Sequence, residues 1–65
     1  MSLSLVAWRR ARQISQKSMA EILGVHVNTY QNWENCPGKI SIENARLISK
    51  VLNVSLEDID FTSKE

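Results

Sequence analysis

This 65-residue chain has a single cysteine, a single histidine, one proline and two glycines. A lone cysteine excludes an internal disulfide, and Cys36 with His26 falls short of a four-ligand metal site, so neither metal nor cofactor is expected. The longest unbroken apolar run, Leu5-Val6-Ala7-Trp8, is far below the roughly 20 residues that cross a bilayer. A signal-peptide pattern is missing too: the basic cluster Arg9, Arg10, Arg12 follows the apolar residues instead of preceding them, and a cytoplasmic location is expected. There is no carboxylate pair suited to a cleft, no glycine-rich phosphate loop and no Cys/His arrangement, which argues against an enzyme. Strand-type alternation and internal repeats are also absent. What remains is an all-α reading.

The net charge of +1 argues only weakly for a nucleic-acid partner. Its distribution is more informative. Residues 1–35 carry four basic and two acidic residues, a balance of +2, and residues 36–65 carry four basic and five acidic, a balance of −1. A modestly basic front half suits a protein that binds anions through helix N-termini as well as through Lys and Arg. At 43% hydrophobic the composition is that of a globular domain, near the lower size limit for a single core. Residues 1–65 are read as one domain with a flexible tail at 61–65.

The chain divides into five predicted helices. Ser4 can cap the first, running to about Arg12, with Leu5, Trp8, Arg9 and Arg12 on one side. Arg9 is unusual there, since an Arg on an apolar face is seldom buried unless paired. Ser15 can cap the second, and Gln16 and Lys17 lie in its first turn, where free N–H groups favour a phosphate. Met19, Ala20 and Leu23 make its buried face, and Gly24 stands where a left-handed helix ending is expected, followed by an inward Val25. The third helix starts with His26 near its cap and runs from Val27 to about Asn35, with Tyr30 and Trp33 inward; Cys36-Pro37-Gly38 ends it. Ser41 can cap a fourth, Ile42 to about Leu52, with Ile42, Ala45, Ile48, Ser49 and Leu52 on its core face. Ser55 can cap a last one, Leu56 to about Asp60. Leu47, Val51, Leu56 and Phe61 suit either the edge of the core or a dimer face.

Along the third helix Val27, Asn28, Gln31 and Asn32 form a stripe that carries no charge. An uncharged, amide-rich stripe suits the reading of base edges: Asn and Gln can each bond N6 and N7 of adenine, and Val27 suits a thymine methyl.

Gln16 to Asn35 resembles the twenty-residue helix-turn-helix unit of the phage repressor and Cro family, also called the Xre family. The likeness rests on Ala20 at the small-residue position, Gly24 in the turn, and apolar Met19, Leu23, Val25, Tyr30 and Trp33 at the family's spacing. Ile14-Ser15-Gln16 resembles the family's approach to its second helix, and Val51-Leu52-Asn53-Val54-Ser55 its usual ending, so the likeness covers about residues 4 to 60. It implies a compact five-helix fold like that of lambda repressor. It also implies an ion pair between Arg9 and Glu34, base contacts from Val27, Asn28, Gln31 and Asn32, and phosphate contacts from Gln16, Lys17, Asn35 and Lys39. His26 replaces the family's usual Ser or Thr and stands as a cap, a phosphate contact, a pH-sensitive group or a plain surface residue. The chain departs from the pattern where Cys36 and Pro37 delay the glycine after the third helix to Gly38.

The resemblance implies a Cro- or repressor-like regulator of a bacterial or phage-infected cell. Its partner would be a double-stranded, pseudo-palindromic operator, bound as a homodimer, with no membrane or small-molecule ligand. An antitoxin or restriction-modification controller would share the fold. So would a protein-interaction module that had lost DNA binding, but carboxylates would be expected on its stripe, and residues 27–32 hold none.

Overall fold

The computed structural model describes residues 2–62. Its helices are α1 (Leu5–Ala11), α2 (Gln16–Leu23), α3 (Val27–Asn35) and α4 (Ile42–Leu52), with 3-10 turns at Pro37–Lys39 and Leu56–Asp58. A serine hydroxyl starts three of the four. Ser4, Ser15 and Ser41 accept the backbone N–H of Ala7, Ser18 and Asn44 at 3.1, 3.0 and 3.2 Å. Each such cap contributes about 1 kcal/mol.

Three helices also end alike, on a residue with positive φ that closes paired backbone hydrogen bonds. Gly24 (φ 74°) does this after α2, where Val25 N–H reaches Ala20 O at 3.0 Å. Gln13 (φ 59°) and Asn53 (φ 58°) do it after α1 and α4, through Ile14 N–H to Arg9 O and Val54 N–H to Ser49 O. Only the glycine announced itself in the sequence.

The fifth helix expected over residues 56–60 is replaced by the 3-10 turn and a strand. β1 (Leu3–Ser4) and β2 (Ile59–Asp60) pair in parallel, Leu3 beside Ile59 and Ser4 beside Asp60. The reason lies in what surrounds this segment. Ser55 makes no side-chain cap bond, and the Trp8 indole N–H takes the Asp58 carbonyl at 2.7 Å. Ser4, extended in order to cap α1, supplies a partner edge, and Ile59 is buried. Arg12 joins the same seam, its Nε donating to Leu52 O at 2.8 Å and its guanidinium lying over the Trp8 ring.

The core gathers Leu5, Met19, Ala20, Tyr30, Ile48, Leu52 and Ile59. Leu23, Val25 and Trp33 pack against it from half-buried positions. Ile42, expected on the core face of α4, is 69% exposed. It stands at the helix start, beyond the reach of the core, and Ile40 packs there instead. Phe61, expected in a flexible tail, is half-buried against the core, and Thr62 N–H donates to Asp60 Oδ1 at 2.9 Å; residues 63–65 of that expectation lie outside the described residues. No helix among the described residues is long and apolar enough to cross a membrane.

Candidate nucleic-acid interface

The site is built on α2, the Gly24 turn and α3. Tyr30 and Glu34 turn inward and are buried, and Trp33 packs edge-on to Tyr30 with ring centroids 6.2 Å apart. With these residues inside, Asn28, Thr29, Gln31, Asn32 and Asn35 are left exposed. Val27, sequence-assigned to this outer stripe, is half-buried and packs against the core, so only part of it faces out. Thr29 had no role in the sequence reading. Its helical spacing of three from Asn32 was the available signal, and both line a shallow groove with Trp33, Asn35, Cys36 and Lys39. That groove also brings Lys39 beside Asn32 and Asn35, which the helical spacing of α3 did not foretell.

His26 caps α3, its Nδ1 accepting the Asn28 N–H at 3.0 Å. The bond orders the first turn from which Asn28 projects, and it requires an unprotonated Nδ1. Asn28 therefore depends on His26 for its backbone position.

Behind the stripe lies a polar chain. Arg9 Nε donates to Glu34 Oε2 at 2.6 Å and its Nη2 approaches Oε1 at 3.4 Å, while Nη1 donates to Ile14 O at 2.8 Å. Only 11% of the Arg9 side chain and 5% of Glu34 is exposed. Burial by itself would raise the Glu34 carboxyl, but hydrogen bonds from Arg9 and Gln16, the nearby Tyr30 hydroxyl and the Arg9 charge together hold it below the ordinary carboxylate value. The Tyr30 hydroxyl lacks a partner in good hydrogen-bond geometry, yet it lies near enough to Glu34 to feel it. Burial, reinforced by that carboxylate, pushes the phenol well above its usual value.

Gln16 extends the chain outward. Its Nε2 donates to Glu34 Oε1 at 2.8 Å, and its Oε1 accepts from Gln31 Nε2 at 3.2 Å. One amide hydrogen of Gln16 remains uncommitted by these bonds, and its chain neighbour Lys17 is exposed.

The four residues expected either at the core edge or at a dimer face differ in burial. Leu47 and Leu56 are exposed at 47% and 38%, whereas Val51 and Phe61 are half-buried and pack against the core. Cys36 is exposed, and no His/Cys/Asp/Glu group able to hold a metal ion occurs among the described residues.

A family model described as helix-turn-helix matches residues 5–59, from the start of α1 to β2. No curated protein and no solved structure matches closely enough to stand as a relative.

Proposed function

Because the chain belongs to the helix-turn-helix family of the phage repressor and Cro type, and so binds DNA sequence-specifically, we propose that it is a transcriptional regulator acting as a dimer on a pseudo-palindromic operator. The observation that carries the reading is the exposed, uncharged amide face of α3. It is held to the scaffold by a buried ion pair that leaves no free carboxylate on that face.

In this reading α3 enters the major groove with its N-terminal half against the base edges. Asn28 and Asn32 each bond N6 and N7 of an adenine, Gln31 reads a neighbouring base, and the exposed part of Val27 touches a thymine methyl. Lys17, the uncommitted N–H groups at Gln16, and His26 meet phosphates on one side; Asn35 and Lys39 meet them on the other. Those contacts set register and carry no sequence information. With so few basic residues the binding falls only modestly with salt.

Residues 1–65 act as one unit, too small a surface for tight specific binding as a monomer. Leu47 and Leu56 give a second copy an apolar footing, and two-fold symmetry spaces the half-sites about 10 bp apart. Regulation follows from operator occupancy. The test is selection from random duplexes at two salt concentrations, with the mass of the complex measured. Inverted half-sites bearing A·T pairs, bound by two chains, are the expected result. Full affinity of one chain for an isolated half-site would contradict the dimer.

A further inference from the structure

The chain from Arg9 to Gln31 has a direction. Arg9 is always protonated and offers only donors, so it faces the acceptor-only Glu34 carboxylate. A carboxylate cannot donate, so Gln16 must turn its NH2 group toward Glu34 Oε1, as it does at 2.8 Å. The Gln16 carbonyl then points away and can only accept. Gln31 must therefore offer its own NH2 group, and it does so at 3.2 Å. Each amide is planar, with oxygen and nitrogen on opposite sides, so the sense of one sets the sense of the next. Turning either around would place carbonyl against carboxylate or carbonyl against carbonyl.

Free glutamine on a reading helix has no preferred sense. It accepts from the amino group of adenine or cytosine, or donates to the keto oxygen of guanine or thymine, simply by turning over. The geometry points to Gln16 as a positioning residue that removes this freedom, so that Gln31 presents its carbonyl oxygen to the groove and selects an amino base over a keto base. The inference rests on α3 reading base edges, as proposed above. It adds that a residue on α2, placed to touch phosphate, also sets base preference through Gln31. The Gln31 amide hydrogen left over can still reach adenine N7, so bidentate reading of adenine survives, whereas a keto oxygen would face the Gln31 oxygen.

The test uses four duplexes that differ only at the base pair facing Gln31, identified as the pair whose identity ceases to matter in Gln31→Ala. Wild type should favour adenine or cytosine over guanine or thymine on one strand by about two- to tenfold, the range of a single net hydrogen bond. Gln16→Met should bind all four more weakly and lose the amino-over-keto preference, which a merely structural loss would not move. Gln31→Glu, which only accepts, should keep that preference at lower affinity, and it serves as the test if Gln16→Met fails to fold. A keto preference in wild type, an unchanged preference in Gln16→Met, or a lost one in Gln31→Glu overturns the inference. If Gln31→Ala alters no base preference while Asn28→Ala does, the inference fails and base reading by α3 stands; if neither does, base reading itself fails.

Discussion

On its inner side α3 presents Tyr30, Trp33 and the paired Glu34; on its outer side it presents Asn28, Thr29, Gln31 and Asn32, exposed and uncharged. The two sides use polar groups in opposite ways. Inside, the charges of Arg9 and Glu34 are bonded to each other and to neighbouring protein groups, because an unpaired charge there would be costly. Outside, the amides of Asn28 and Asn32 are free to bond a base. The contrast means that substitutions on the inner side should act on stability, and those on the outer side on sequence preference.

Arg9→Met breaks the contrast hardest. It leaves the Glu34 carboxylate buried without its cation, a loss of about 3–5 kcal/mol, comparable to what a domain this small has in total. Urea unfolding measured near neutral pH should show most of the chain already unfolded. Adding Glu34→Leu should restore a large part of the loss, because a buried pair exchanged for apolar residues is often tolerated.

Acid acts on the same side. Glu34 titrates below the ordinary carboxylate range in the folded chain. Its contribution is therefore present above about pH 4.3, where the unfolded chain's Glu is ionised, and is lost as pH falls through the lower folded value. A pH series of melting temperatures should fall from near pH 4 downward, and the fall should be shallower in the Arg9→Met, Glu34→Leu double variant.

Smaller changes sharpen the comparison by leaving both sides of α3 intact. Ser41→Ala removes the α4 cap and should cost about 1 kcal/mol in urea unfolding with base preference unchanged. Gln13→Gly relieves a left-handed residue, which costs roughly 1–2 kcal/mol in an L-amino acid, against about 0.5–1 kcal/mol of added glycine entropy. The net should be a slight gain in melting temperature, and it should leave DNA binding alone.

Much of this arrangement was legible in the sequence. Ser15, Gly24 and the spacing of Met19, Ala20, Leu23, Tyr30 and Trp33 mark α2, its turn and α3, because caps, left-handed endings and helical periodicity are local signals. Most of the misses are non-local. Ile59 joins a strand because Leu3 lies beside it, and the Trp8 indole takes a carbonyl from residue 58; neither is visible from the segment itself. Gln13 and Asn53 adopt the geometry of Gly24 without its composition. In the interface, the outer stripe followed from periodicity, but the half-burial of Val27 and the inward engagement of Gln16 depend on where α2 meets α3. Gln16 looked like a phosphate contact alone because its partners lie 15 and 18 residues away.

The outer side of α3 is tested most directly at Asn28. Equilibrium affinities of wild type and Asn28→Ala would be measured on a selected duplex and on the same duplex with the facing A·T pair replaced. Wild type should lose about 1–3 kcal/mol on the replacement, and Asn28→Ala should bind both duplexes alike, with a melting temperature close to that of wild type. If Asn28→Ala instead weakens binding to both duplexes by the same factor, Asn28 does not read a base.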